Sequence, residues 1–126
     1  MVTNKVLLVE DNEGDIVLTS EAFEECSFKT KIEVARNGKE AINFLFNIEN
    51  SDQLPSLILL DINLPLLNGH EVLKKIKENE KTKHIPVAIL TTSSALTDIN
   101  LAYTNNANCF ITKPADVNDF FETINA

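Results

Sequence analysis

Five residues with reactive side chains stand where apolar segments of this sequence end. They are Glu10, Asp11, Asp61, Thr91 and Lys113. Three carboxylates held a few ångströms apart repel one another by about 4 kcal/mol per close pair near a protein surface, so such a site requires a cation or retained protons. Hard oxygen donors favour Mg²⁺, which typically takes one or two protein carboxylates together with phosphate oxygens. The set therefore predicts phosphate chemistry at a magnesium site.

An aspartate in that setting can attack phosphorus and form an aspartyl phosphate. Lys113 and the cation would stabilise the negative charge of the phosphoryl group during transfer. The hydroxyl of Thr91 would donate a hydrogen bond to a phosphoryl oxygen. Taken singly, each residue also has a structural explanation as a turn residue, a helix cap or a strand end. The prediction therefore depends on their meeting at one place.

Five strand-like apolar runs alternate with helix-like stretches and would bring these residues together. The runs cover residues 5–9, 31–35, 57–60, 86–90 and 109–112. Three of them are continuously apolar, as strands covered on both faces are, whereas the second alternates and suits an edge strand. The alternation predicts a doubly wound α/β fold, with a flavodoxin-like five-stranded parallel sheet in the order 2-1-3-4-5 and helices on both faces. Ligands of such sheets bind beyond the carboxyl ends of the strands.

Polar residues at helix-start spacing mark where the helices are expected to begin. The pairs are Asn12 with Asp15, Asn37 with Glu40, and Asn68 with Glu71, and they match the spacing of N-caps and capping boxes. Apolar residues at helical intervals predict two further helices near residues 94–103 and 116–124. The lysines at the end of the third helix-like stretch are interpreted as a solvated face that complements the helix dipole. They are Lys74, Lys75, Lys77, Lys81 and Lys83.

Length and composition limit the classes of protein to consider. The 126 residues suit one domain, residues 1–126, and 44% hydrophobic residues suffice for a buried core. The formal net charge of −8 disfavours binding to nucleic acid or to an anionic membrane. No apolar run is long enough to cross a bilayer, and the amino terminus lacks the pattern of a secretory signal. Cys26 and Cys109 are interpreted as reduced thiols, so we expect a cytoplasmic protein.

Several fragments resemble, in order, the signature of response-regulator receiver domains of two-component signalling. They are Leu7–Asn12, Leu59–Pro65 with Asn68 and Gly69, Leu90–Thr91 and Thr112–Pro114. Each fragment alone is a weak signal, but all of them in order and at these spacings are highly specific. The loop after the first run and the segment from Leu90 to Ser94 look most like the small stand-alone receivers associated with phytochrome-type histidine kinases. The resemblance implies a single receiver domain without an output domain.

The resemblance also implies how the site would work. Asp61 would accept a phosphoryl group from a histidine kinase or a phosphotransfer protein, and Lys113 would pair with it. Mg²⁺ would be bound by Asp61, by Asp11 and by the backbone carbonyl of Asn63. Glu10, which stands where many members have Asp, would act on the metal through water. The chain would catalyse only its own phosphorylation and dephosphorylation, so we do not expect an enzyme with an external substrate.

Other residues would carry the implied switch. Phe110 stands at the family's switch aromatic position, Thr91 would move toward the phosphoryl group, and the Lys113–Pro114 bond is expected to be cis. Asn63 and Ser93 stand at positions that tune hydrolysis of the phosphoryl group. The output face would comprise the fourth helix, the fifth strand and the fifth helix, and it would bind a downstream protein. A phenylalanine exposed on the last helix would mark a homodimer surface.

Three other functions share parts of the pattern. An aspartyl phosphatase of the haloacid dehalogenase type also has an Asp after a strand, but it usually carries a second acid two residues later, where this chain has Asn63. A flavodoxin-like flavin binder needs a first loop that cradles phosphate, and residues 10–15 are too acidic for that. A receiver that acts only as an adaptor would not need the acceptor-site residues, which are all present.

Overall fold

A five-stranded parallel sheet forms the centre of the computed structural model, which describes residues 4–24, 30–49, 53–61, 69–91 and 109–112. Its strand order is β2-β1-β3-β4-β5, so the predicted flavodoxin-like order, with β2 at an edge, is confirmed. The predicted helices near residues 94–103 and 116–124, and the cap at Asn68, lie outside the described residues. The elements are β1 (Asn4–Val9), α1 (Glu13–Glu24), β2 (Thr30–Ala35), α2 (Gly38–Phe46), β3 (Leu57–Asp61), α3 (Gly69–Glu78), β4 (Val87–Thr91) and β5 (Cys109–Thr112).

Buried side chains from the inner strands point alternately to the two faces of the sheet, as the period of a strand requires. On one face the strands pack against α2 and α3 through Leu7, Val9, Ile58, Leu60, Ala41, Leu45, Val72, Leu73 and Ile76. On the other face they pack against α1 through Val6, Leu8, Leu59, Leu90 and Ile16. Helices therefore cover both faces, which explains why β1, β3 and β4 are continuously apolar.

Side-chain caps begin α1 and α2 where the sequence predicts them. The Asn12 Oδ1 atom accepts the amide of Asp15 at 3.0 Å, and the Asn37 Oδ1 atom accepts the amide of Glu40 at 2.8 Å. The Glu40 carboxylate accepts the backbone amide of Arg36 at 3.3 Å, one residue earlier than in the usual capping box. These caps fix the direction in which the chain leaves β1 and β2.

One of the lysines that the sequence interpretation placed on a solvated face, Lys77 near the end of α3, contacts the turn between α3 and β4. The Lys77 ammonium donates to the carbonyl oxygens of Ile85 at 2.7 Å and Lys83 at 3.1 Å. Burial lowers the pKa of Lys77 below the usual value for a lysine. Lys74 and Lys75 are exposed, as expected, but the interpretation is wrong for Lys77.

In the described part of the chain, no helix has the length and apolar character needed to span a membrane.

Candidate metal centre

Three acids meet at the carboxyl edge of β1 and β3. Glu10 and Asp11 directly follow β1, and Asp61 is the last residue of β3. Val9 pairs with Leu60, so Glu10 and Asp61 are the next residues along two neighbouring strands. One carboxylate oxygen from each of the three acids lies within 4.8 Å of the other two. The convergence that the sequence predicts is observed for these three residues, which we call the acidic cluster.

The pleat of the sheet explains why Glu10 and Asp61 share a face. Leu8 and Leu59 lie two positions before them and pack on the α1 side of the sheet. Side chains two positions apart in a strand share a face, so the two carboxylates continue this apolar stripe to the rim. The amide of Glu10 also donates to the carbonyl of Ala35 at 2.9 Å, which keeps Glu10 in line with β1.

Burial concentrates negative charge in the acidic cluster. Glu10 is 1% exposed and Asp61 is 6% exposed, whereas Asp11 is exposed. At the separation of at most 4.8 Å, two ionised carboxylates repel by about 3–4 kcal/mol at an effective dielectric of about 20. A divalent cation with a preference for hard oxygen ligands would replace this repulsion by attraction. The donor set therefore fits such a cation, and exposed Asp11 leaves it a route from solvent.

The ends of β4 and β5 lie along the same edge of the sheet. Asp61 pairs with Leu90, so Thr91 lies one residue further along the neighbouring strand. Thr91 in turn pairs with Thr112, the residue before Lys113. The structure thus brings the backbone of Thr91 to the predicted place beside Asp61.

The other predicted residues are only partly covered by the structure. Phe110 lies within β5 and pairs with Ile89. Asn63, Ser93, Lys113 and Pro114 lie outside the described residues, so their predicted roles stay predictions.

An ion pair beside the acidic cluster was not predicted from the sequence. Arg36 follows β2, and its Nη1 atom donates a hydrogen bond to the Oε1 atom of Glu13, the first residue of α1. The available signal was a pair of opposite charges just after two strands. The predicted strand order already places β2 beside β1, but it does not show that these two long side chains are in contact.

Comparison with known proteins identifies the family and its relatives. The family model described as response regulator receiver domain matches residues 6–125. The probable methanogenesis regulatory protein FilR2 of Methanothrix harundinacea is 42% identical over 120 residues, covering 94% of this chain and 77% of FilR2. Response regulator Rcp1 of Synechocystis is 39% identical over 122 residues, covering 94% of this chain and 82% of Rcp1.

Solved structures of similar proteins have the same fold. The phosphorylated cyanobacterial phytochrome response regulator RcpA gives a TM-score of 0.85 at 39% identity, covering 98% of this chain and 89% of RcpA. The Mn²⁺-bound form of Rcp1 gives a TM-score of 0.83 at 36% identity, covering 96% of this chain and 88% of Rcp1. The expected resemblance to receivers, including those of phytochromes, is confirmed. A Mn²⁺-bound relative and the acidic cluster together support divalent-metal binding.

Proposed function

The chain belongs to the response regulator receiver family of two-component signalling, and on this premise we propose that it is a phosphorylation switch whose phosphoacceptor is Asp61. The observation that carries the proposal is the acidic cluster, in which the carboxylate of Asp61 lies within 4.8 Å of those of Glu10 and Asp11. Such a cluster gains most from binding a cation, and a bound cation makes phosphate the natural ligand of the same site. The haloacid dehalogenase and flavin-binding alternatives have no comparable support.

The proposed reaction is a single phosphoryl transfer. A carboxylate oxygen of Asp61 forms a bond to phosphorus while the bond from phosphorus to a histidine nitrogen of the donor breaks. The released imidazole takes up a proton from solvent, and the product is an aspartyl phosphate. The chain assists only this transfer and the later hydrolysis of its own phosphoryl group. It therefore has no external substrate beyond the phosphodonor.

We assign the metal of the site as Mg²⁺, held by Asp11, Asp61 and the backbone carbonyl of Asn63, with Glu10 acting through water. When bound, this ion supplies charge neutralisation for the phosphoryl oxygens. The all-oxygen donor set and the exposure of Asp11 support Mg²⁺, which keeps several of its waters when it binds proteins. Mn²⁺ prefers similar ligands and is a suitable experimental substitute.

The switch is proposed to run from Asp61 to β5. Thr91 and Lys113 would donate hydrogen bonds to the phosphoryl group, and Phe110 would respond on β5. Driving such a switch from mostly inactive to mostly active takes about 5 kcal/mol of differential stabilisation. A doubly charged phosphoryl group with two charge-assisted hydrogen bonds is of the right size to supply it. The proximity of the Thr91 and Asp61 backbones supports this route.

The proposed partners follow from the relatives. We propose a histidine kinase or a phosphotransfer protein as phosphodonor, and a phytochrome-type kinase in particular, because RcpA is a phytochrome response regulator. The output would be binding of a downstream protein, or a homodimer, through the fourth helix, β5 and the fifth helix. The net charge of −8 disfavours binding to nucleic acid or to an anionic membrane. We also propose that the chain is a cytoplasmic, stand-alone regulator, and its coverage of 82% of Rcp1 supports the stand-alone part.

Incubation with Mg²⁺ and acetyl phosphate, followed by intact-mass measurement, tests the proposal. The wild type should gain the mass of one phosphoryl group, and the gain should disappear when EDTA replaces Mg²⁺. Asp61→Asn should abolish it. Asp15→Asn is the matched control, because it removes the same charge from α1 outside the acidic cluster, and it should be phosphorylated normally.

Two results would contradict the proposal. A full mass gain in Asp61→Asn would place the phosphoryl group elsewhere. No gain in the wild type, either with acetyl phosphate or with a phosphorylated histidine kinase, would favour a receiver that acts only as an adaptor.

A further inference from the structure

The ion pair between Glu13 and Arg36 joins the two loops that follow β1 and β2, and one of these loops carries Asp11. We propose that this pair is a latch that positions Asp11 for divalent-metal binding. The proposal rests on the metal site of the proposed function and deepens it. Glu13 and Arg36 are positioning residues, since neither is assigned as a metal ligand.

The latch is anchored on the side of α2. The backbone amide of Arg36 donates to the Glu40 carboxylate at 3.3 Å, and the Asn37 side-chain amide donates to the same oxygen at 3.0 Å. Asn37 also caps α2 through the amide of Glu40 at 2.8 Å. Arg36 directly follows Ala35, whose carbonyl accepts the amide of Glu10 at 2.9 Å. The base of the arginine is therefore fixed beside the backbone of the acidic cluster.

The latch reaches Asp11 through the start of α1. Glu13 begins α1 two residues after Asp11, and Asn12 between them caps the helix by accepting the amide of Asp15 at 3.0 Å. The carbonyl of Asn12 also accepts the amide of Ile16 at 3.0 Å. A Cβ atom on Gly14 would lie 3.2 Å from the Asn12 Oδ1 atom, so this turn is tightly packed. A restraint on the position of Glu13 therefore also restrains Asp11, because a short, hydrogen-bonded segment connects them.

Asp11 is the member of the acidic cluster that needs such positioning. Glu10 and Asp61 are nearly inaccessible and are held by their neighbours in the sheet, whereas Asp11 is exposed and lies past the end of its strand. An exposed carboxylate loses side-chain freedom when it binds a metal, and a loop that is already fixed lowers that cost. Both partners of the latch are half exposed or more, at 51% for Arg36 and 69% for Glu13, so the expected effect is modest.

A latch and a simple charge effect predict opposite changes in cation affinity when Arg36 is replaced by a neutral residue. If Arg36 acted only as a nearby positive charge, Arg36→Gln would strengthen cation binding, although salt would screen the effect. If Arg36 holds the loop, Arg36→Gln weakens binding. Glu13→Gln weakens cation binding in both cases. The informative results are therefore whether Arg36→Gln weakens or strengthens binding, and whether the effects of the two substitutions depend on each other.

The test is Mn²⁺ titration by calorimetry of the wild type, Arg36→Gln, Glu13→Gln and the double variant at physiological ionic strength. We expect each single substitution to raise the Mn²⁺ dissociation constant about two- to five-fold, the range that an exposed ion pair supplies. In the double variant, the increase in the Mn²⁺ dissociation constant should be well below the product of the two single increases, because either substitution alone already breaks the ion pair. The charge-swapped variant Glu13→Arg with Arg36→Glu should return the dissociation constant toward that of the wild type.

Lys31→Gln is the matched control, because it removes the same charge and breaks the Lys31–Glu33 ion pair of 3.3 Å earlier in β2. It should leave Mn²⁺ affinity unchanged, and thermal unfolding in EDTA should show that all variants fold. Tighter or unchanged Mn²⁺ binding in Arg36→Gln, or independent effects of the two substitutions, would overturn the latch alone. Failure of the wild type to bind Mn²⁺ would overturn the proposed metal site and the latch with it.

Discussion

Glu10 directly follows β1, Asp61 ends the neighbouring strand β3, and their carboxylate oxygens lie within 4.8 Å of each other, although neither residue is more than 6% exposed. Two acids placed in this way repel each other more strongly than acids on an open surface, because burial lowers the effective dielectric constant around them. The same repulsion that costs stability without a cation favours binding of one. Folding stability and metal binding are therefore linked at this edge of the sheet.

Asp61→Asn should stabilise the metal-free protein. The substitution keeps the shape of the side chain and removes one of the two buried acids. The proposed pairing of Asp61 with Lys113 would be lost as well and would offset part of the relieved repulsion, so the free energy of unfolding in EDTA should rise by only about 1 kcal/mol. Urea denaturation followed by circular dichroism measures the change. The comparison variant is Asp15→Asn, whose lost charge lies in the first turn of α1. There an acid favours the helix, so a neutral or slightly destabilising effect is expected. Equal effects of both substitutions would show that repulsion in the cluster is unimportant.

Divalent cations should stabilise the wild type by an amount that grows with the logarithm of the free cation concentration once this exceeds the dissociation constant. A ligand that binds only the folded state at 100 times its dissociation constant adds about 2.7 kcal/mol to the free energy of unfolding. Thermal unfolding with increasing Mg²⁺ or Mn²⁺ should show the corresponding rise in Tm, and EDTA should reverse it. Asp11→Asn should remove most of the rise while leaving the metal-free Tm almost unchanged, because Asp11 is exposed. A rise of the same size in Asp11→Asn would assign the ion to another place.

The sheet and the cluster could be predicted because strand burial leaves a strong signal in the sequence. Strands β1 and β3 are covered on both faces, so every position between Val6 and Val9 and between Ile58 and Leu60 is buried and apolar. On β2, Ile32 and Glu33 are only partly buried and Val34 is 38% exposed, so this strand is less covered than β1 and β3, as expected at the edge of a sheet. Since parallel strands end at a common edge, the acids after β1 and the acid at the end of β3 are expected to lie close together.

The ion pair of Arg36 and the position of Lys77 could not be predicted in the same way. Both side chains are long and flexible, and their charged ends reach groups whose location depends on the path of a turn. Lys77 follows the buried residue Ile76 in α3, and helical periodicity alone does not show whether its ammonium points to water or to carbonyl oxygens. Such contacts become visible only when the turn that supplies the partners is known.

Asn37→Ala should weaken the start of α2. The substitution removes the oxygen that accepts the Glu40 amide at 2.8 Å, and loss of an N-cap of this kind costs about 1 kcal/mol. Urea denaturation is again the measurement. Asn43→Ala, at an exposed position inside the same helix, is the control and should be neutral or slightly stabilising, because alanine is the better helix former. A cost as large for Asn43→Ala as for Asn37→Ala would contradict the capping role.

Lys77→Met should destabilise the turn between α3 and β4, and the loss should grow with pH. Methionine fills similar space but leaves the carbonyl oxygens of Ile85 and Lys83 without their donor, at a cost of about 1–2 kcal/mol at neutral pH. Burial holds the pKa of Lys77 in the folded protein below that of the unfolded chain. Between the two pKa values the unfolded state binds more protons, so the free energy of unfolding of the wild type rises with pH in that window.

The variant lacks this rise, so the difference in unfolding free energy between wild type and Lys77→Met should widen from neutral pH to about pH 10. Paired urea titrations at each pH give the difference and cancel the effects of the other titrating groups. Lys75→Met, at an exposed position of the same helix, should differ from the wild type by less than about 0.5 kcal/mol at every pH. A difference for Lys77→Met that narrows as pH rises would mean that the charge of the ammonium stabilises the turn by more than its burial costs.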